Sequence, residues 1–250
     1  LEQLKVPEQS TRTWAKRMLR RQPRELALNE IGQAIAKTQR NMPLPSDEAY
    51  SELQQFLLEL MWAGLHLDSL DRELLTSLLA SQDPRVRSIA VRISSDFLHR
   101  NAANDLREIL AIAIQDDHPQ VRLEAVAGLR RLNEASSASL ALRALTRPMD
   151  ASLDFALWKT LRDLGPKWIG FAERGEFDFG NDPLALTYAL KAVESSDVVQ
   201  PLLKLLSSGN VPSATATAVV RQIAMLAGAG QMDQLLEWLE AQPESEQLEL

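Results

Sequence analysis

The sequence predicts an all-α fold: an α-α superhelix of about six helix pairs stacked in a row, with no sheet. Three observations lead there. The stretch QDPRVRSIAVRI at 82–93 returns inside DDHPQVRLEAVAGLRRL at 116–132, where Pro119, Val121, Arg122 and Ala125 repeat Pro84, Val86, Arg87 and Ala90. A fixed period of this length is how an array of stacked units announces itself. Apolar residues around both copies recur at helical spacing, and no stretch alternates apolar and polar long enough to propose a strand.

The elements follow in order. TRTWAKRML at 11–19 matches VRSIAVRI at 86–93 and brings Ala15 into register with Ala90. Between them the apolar run 47–66 and LDRELLTSLLAS at 70–81 make one degenerate unit. The next helix starts at Asp83-Pro84, an Asp that can accept backbone N–H bonds before a Pro suited to the first helical position. After it Val86, Ile89, Ala90, Ile93 and Phe97 form one stripe. NDLREILAIAIQ at 104–115 is its partner helix. Val121, Ala125, Leu129 and Leu132 form the next stripe, and EAVAGL at 124–129 aligned with FALWKT at 155–160 makes Ala156 the third alanine of the series. Alanine at a helix crossing lets the partner approach closely. Further pairs are 135–145 with 153–164, 183–194 with 198–208, and 213–226 with 232–242, with Asp182-Pro183 repeating the helix-start device. WIGFAERGEFDFGND at 168–182 reads as an irregular packed excursion that interrupts the stack.

An array of this kind makes the whole of 1–250 one continuous domain, because each unit touches only its neighbours. The start at Leu1 and the acidic ending PESEQLEL point to a piece of a longer multidomain protein. Lys plus Arg total 27 against 34 Asp plus Glu, a net charge of −7, which disfavours binding along a phosphate backbone. With no cysteine, disulfides, thiol nucleophiles, Fe–S clusters and covalent haem attachment are excluded from this segment. No apolar run reaches the length of a membrane span, so no direct membrane insertion is expected.

Asp-Pro-x-Val-Arg at 83–87, followed by Ala90-Val91, with Arg87 and Arg122 one period apart, resembles the HEAT repeat. The resemblance implies an antiparallel helix pair per unit, and a ladder in which Arg87 and Arg122 bond toward turn carboxylates such as Asp83 and Asp117. His118 stands where Asp83 would align, so one rung departs from the pattern. Residues 59–93, 118–132 and 149–193, with Asp154-Phe155-Ala156-Leu157-Trp158 and Pro166-Lys167-Trp168 as the specific pieces, are similar to the HEAT segment of large bacterial membrane-bound dehydrogenases. Those proteins combine a β-propeller, a HEAT segment and a cytochrome c-like haem-binding domain. The resemblance therefore implies a scaffold between redox domains in an extracytoplasmic protein. The haem motif and the propeller are absent from this segment, so no redox activity or cofactor carries over.

No catalytic site is legible. His66, His99 and His118 lack second ligands at helical spacing, so no metal site is expected, and His118 before Pro119 reads as a turn or cap residue. Asp116-Asp117 sits in the motif turn and reads as helix-start chemistry. Trp14, Trp62, Trp158, Trp168 and Trp238 are scattered and expected mostly in packing. TRTWAKRMLRRQPR at 11–24 is the most basic stretch: Lys16, Arg17, Arg20 and Arg21 would crowd one side of a helix, with Trp14 and Leu19 turned elsewhere, and would suit an acidic partner. The expected function is a non-catalytic scaffold for protein or inter-domain contacts, with Arg17, Arg20, Arg21, Arg92 and Arg130 as partner-binding residues. The competing class is a helical-repeat enzyme resembling alkylpurine DNA glycosylases or bilin lyases, against whose DNA-binding form the net charge counts.

Overall fold

A computed structural model of the chain describes residues 1–45, 47–99, 102–173, 176–177, 183–193, 196–207 and 213–242. Among the described residues there are fourteen α-helices, three short 3-10 turns and no strand. The helices are α1 (Gln9–Leu19), α2 (Arg24–Arg40), α3 (Glu48–Leu65), α4 (Arg72–Leu79), α5 (Pro84–Leu98), α6 (Ala103–Ala113), α7 (Pro119–Leu132), α8 (Ala135–Leu142), α9 (Ala151–Asp163), α10 (Gly165–Glu173), α11 (Pro183–Ala192), α12 (Val199–Ser207), α13 (Ser213–Leu226) and α14 (Ala229–Glu240). Their contacts gather into two compact units, Leu1–Phe97 and Leu98–Leu250.

Helix starts follow the chemistry read from the sequence. Asp83 accepts the Arg85 amide at 2.8 Å ahead of α5, Asp150 accepts that of Leu153 at 2.8 Å ahead of α9, and Asp71 accepts that of Leu74 at 2.9 Å ahead of α4. His118 does the same for α7, its Nδ1 accepting from Gln120 at 3.3 Å, so the departure from Asp keeps the capping function. Asp116 supports that turn by accepting the His118 amide at 2.8 Å. Two turns need left-handed backbone, and both use residues that tolerate it: Asp68 after α3 at φ 54° and Asn133 after α7 at φ 55°.

In the first unit α3 is the centre. Phe56, Leu57, Leu58, Leu60, Met61 and Ala63 are all buried, leaving little of the helix polar, and it packs on α1, α2 and α4. The sequence reading passed over α2. Its stripe, Ala27, Ile31, Ile35 and Thr38, is one residue wide and lies among charged and amide side chains.

In the second unit α7 packs on α9, α9 on α11 and α11 on α13. On the other side α8 packs on α10, α10 on α12 and α12 on α14. Cross-contacts of α7 with α8, α8 with α9, α12 with α13 and α13 with α14 join the two series. Three hydrogen bonds between neighbouring helices share one sequence separation of 34 residues: Thr160 to the Val126 carbonyl (3.4 Å), Tyr188 to Asp154 (2.8 Å) and Gln200 to Gln234 (3.2 Å).

Three readings of this region are corrected. The alanine series is real for Ala15, Ala90 and Ala125, each buried and each the seventh residue of its helix, and Ala189 occupies the same place in α11. In α9 that place belongs to Leu157, fully buried, whereas Ala156 is half-buried, so the assumed offset was one residue short. The excursion at 168–182 begins as α10. Gly165 and Pro166 open it, in the first turn where a missing N–H costs nothing. Trp168 is buried, donates to the Leu161 carbonyl at 3.0 Å and packs on Phe177 at 5.2 Å. Residues 178–182, with the Asp182 cap, lie outside the described residues.

The arginine ladder is also built differently. Arg87 donates to the carbonyls of Ser81 and Gln82 at 2.8 and 3.1 Å, and Arg122 to those of Asp116 and Asp117 at 2.7 and 2.9 Å. Arg122 also donates to the Pro148 carbonyl, in the turn ahead of α9. The carboxylates expected as rungs also pair elsewhere, Asp83 with Arg85 at 2.7 Å and Asp117 with Arg147, and act on Arg87 and Arg122 through their charge. Carbonyls serve because a buried guanidinium needs acceptors along a fork and the end of a turn supplies two side by side. Burial pushes the Arg122 pKa down, as does the nearby Arg147, while Asp116, Asp150 and Asp117 push it up.

Candidate functional site

The five arginines expected to meet a partner stand in three settings. Arg17, Arg20 and Arg21 are exposed at the end of α1, and no side-chain hydrogen bond or ion pair engages them among the described residues. Lys16, expected beside them, turns the other way. Its ammonium lies 2.6 Å from Glu59 on α3, and the Arg12 guanidinium lies 3.1 Å from the same carboxylate, whose side chain is only 7% exposed. Glu59, which sequence reading missed, thus withdraws two cations from the basic stretch to fasten α1 onto α3. Trp14 is the converse: expected in packing, it is 58% exposed on the side of α1 that carries Arg17. Glu59→Gln is expected to lower stability by about 2–3 kcal/mol in a denaturant melt, since two poorly hydrated cations lose their counter-charge.

Arg92 is exposed on α5. Arg130 on α7 reaches Asp163 of α9 at 3.5 Å, and Lys159 reaches the same carboxylate at 3.5 Å. That pairing places Arg130 at the edge of a side-chain cluster on α9. Leu153, Leu157 and Leu161 face the core, and the opposite side of the helix carries Phe155, Trp158 and Arg162 at i, i+3 and i+7. Phe155 stacks on Trp158 with ring centres 5.9 Å apart at 27°, and the Arg162 guanidinium sits 5.1 Å over the Trp158 ring. Such a contact is worth about 0.5–1 kcal/mol at an exposed site and holds the guanidinium over the ring. Phe155 nevertheless stays 59% exposed.

The next helix continues the surface. Leu184 and Lys191 of α11 are exposed, as are Arg221 and Met225 of α13. Tyr188 of α11 joins the two helices through its hydroxyl, 2.8 Å from both the carbonyl and the carboxylate of Asp154. Burial, followed by the Asp154 bond and charge, drives the Tyr188 pKa upward. A raised folded pKa favours the neutral phenol in the fold. Its contribution is fully present below the unfolded value of about 10 and is lost as pH rises through the folded one. An alkaline titration is expected to show a late phenolate phase, removed by Tyr188→Phe; phenolate forming only near the ordinary value would contradict the bond.

The described residues hold no cluster of three or more His, Cys, Asp or Glu able to grip a metal. No helix among them is long and apolar enough to cross a membrane. A cleft of about 450 Å³ in the first unit is lined by Glu2, Lys5, Lys37, Thr38, Leu53 and Phe56 among others. Its Lys5 and Glu2 pair with each other at 2.9 Å, and Lys5 also lies over the Phe56 ring at 4.9 Å. No family model, no curated protein and no solved structure matches the chain.

Proposed function

We propose that the chain is a non-catalytic helical-repeat scaffold, a HEAT-like α-solenoid segment, that binds a protein partner or flanking domains of its own polypeptide. The observation that carries this reading is the outward side of the series α7, α9, α11 and α13. Exposed apolar side chains (Phe155 at 59%, Leu184 at 71%, Met225 at 66%) stand there among the cations Arg130, Arg162, Lys191 and Arg221. Aromatic, Met and Arg side chains on a rigid helical platform are the composition that protein interfaces favour. Stacked units make such a platform extended, so recognition is spread over many modest contacts. The exposed arginines of α1, with Trp14, and Arg92 on α5 are further contact points in this proposal. Its cellular setting, a scaffold joined to redox domains, rests on the resemblance to bacterial membrane-bound dehydrogenases.

The test is affinity capture with the immobilised chain from a lysate of its source, using wild type, Arg130→Glu and the triple change Arg17→Glu, Arg20→Glu, Arg21→Glu. The scaffold reading expects a discrete partner whose recovery falls at least tenfold with one of the variants. No retained partner, or equal recovery by every variant, removes the reading.

A further inference from the structure

We infer that the Phe155–Trp158–Arg162 face of α9, continued by Leu184 on α11, is a docking site for a short acidic segment carrying an apolar side chain. The proposal rests on the scaffold reading and names the partner chemistry for one of its surfaces.

The cluster is pre-formed. Phe155 and Arg162 both lie against the Trp158 ring, so the guanidinium is held over the indole while no acceptor among the described residues engages its N–H groups. A planar guanidinium held in this way takes a carboxylate in a two-point hydrogen bond, the geometry that makes Arg–carboxylate pairs strong and directional. Holding the side chain in place beforehand also removes part of the ordering cost that binding otherwise carries. Phe155, exposed over most of its surface, and Leu184, more exposed still, offer an apolar platform beside that charge. An occupant must therefore present an apolar anchor with a carboxylate near it.

Charge decides its class. The surface bears Arg130, Lys159, Arg162 and Lys191, and its only acids among the described residues on the outer side of α9 are already engaged: Asp154 by Tyr188, and Asp163 by Arg130 and Lys159. A local cationic excess thus stands on a chain whose net charge is −7. An extended polyanion meets the acidic remainder of such a molecule, whereas a short segment meets only the patch. Nucleic-acid affinity also draws on many phosphate contacts, roughly 6–10 in duplex binders, and a face two helices wide cannot supply them. An aromatic–Arg stack could receive bases, so single-stranded nucleic acid belongs in the test as a competitor.

The experiment is fluorescence anisotropy on the full chain with a labelled peptide of alternating Glu-Glu-Leu triplets. A peptide with Gln for Glu, a labelled oligothymidylate and vesicles containing phosphatidylserine are run beside it. The acidic peptide is expected to bind at least tenfold more tightly than its Gln counterpart. Arg162→Glu should lower its affinity at least tenfold and Phe155→Ala several-fold, while Arg162→Lys retains only part. Both positions are exposed, so a circular dichroism melt should shift by no more than about 3 °C. The triple Glu variant of Arg17, Arg20 and Arg21 on α1 should bind the peptide like wild type. Equal binding of the two peptides, full binding by Arg162→Glu, or preference for oligothymidylate or vesicles overturns the inference. The capture experiment can still succeed in that case through another surface, which separates this failure from that of the scaffold reading.

Discussion

Arg122→Ala is expected to lower the unfolding free energy by about 3–4 kcal/mol, the largest loss from any single charged side chain among the described residues. Arg122 is only 1% exposed and donates to three carbonyls, two in the turn before α7 and one at Pro148 ahead of α9. Alanine removes three part-buried hydrogen bonds made by a charged donor, at about 1.5–3 kcal/mol each before water reaches the freed carbonyls of Asp116, Asp117 and Pro148 and restores part of the loss. For a chain of this size the melting temperature should fall by roughly 10 °C. Arg122→Lys should recover less than half, because a point charge cannot span three acceptors set around a planar fork. Arg87→Ala is the internal comparison. Arg87 is half-buried, and its bonds include those to the Ser81 and Gln82 carbonyls, so about 1–2 kcal/mol is expected. Losses of equal size at Arg87 and Arg122 would contradict the greater weight given to the buried Arg122.

Trp168→Ala is expected to cost about 3–5 kcal/mol, the range for removing a large buried aromatic. The indole is buried, packs at a tilt on Phe177 and donates to Leu161. Trp168→Phe keeps most of the apolar volume and forfeits the hydrogen bond, so about 1–2 kcal/mol is expected. These two variants test whether 165–173 is a packed helix. An irregular surface excursion would lose less than about 1 kcal/mol in either, as exposed substitutions usually do.

What the sequence made legible was local. Asp83-Pro84 and His118-Pro119 fix where α5 and α7 begin, because capping and proline geometry act within a few residues. The stripes after them, Val86-Ala90-Ile93 and Val121-Ala125-Leu129, fix which side is buried. Register one unit further on was harder. Ala156 matched Ala125 by letter, but Asp150 caps α9 seven residues before Leu157, as His118 caps α7 seven residues before Ala125. Counting from the cap would have found it. The helix α10 was hidden by Gly165, Pro166 and Gly170, residues that signal turns except at a helix start. The ladder arginines were foreseen as residues but their carbonyl bonds were not, since side-chain types cannot show which main-chain carbonyls a turn brings within reach.

The docking face was missed for a different reason. Trp158 was assigned to packing by residue type, and Phe155 was read only as part of the run 154–158. Leu153, Leu157 and Leu161 had already filled the buried side, which forces Phe155 and Arg162 outward, and that signal was in the spacing. The basic stretch at 11–24 showed the reverse limitation. Nothing local tells that Glu59, 43 residues beyond Lys16, removes two of its cations.

The central claim is that units of the second part of the chain bury their apolar stripes against the next unit along. A methyl-resolved nuclear Overhauser map of the intact chain tests it most directly. Contacts between Val126 and Thr160, and between α9 and α11 around Tyr188, should place long-range peaks at the separation of 34 residues seen in the hydrogen bonds. Strong peaks joining α7 directly to α13, such as Val126 with Val219, would instead mean a closed bundle and contradict the account.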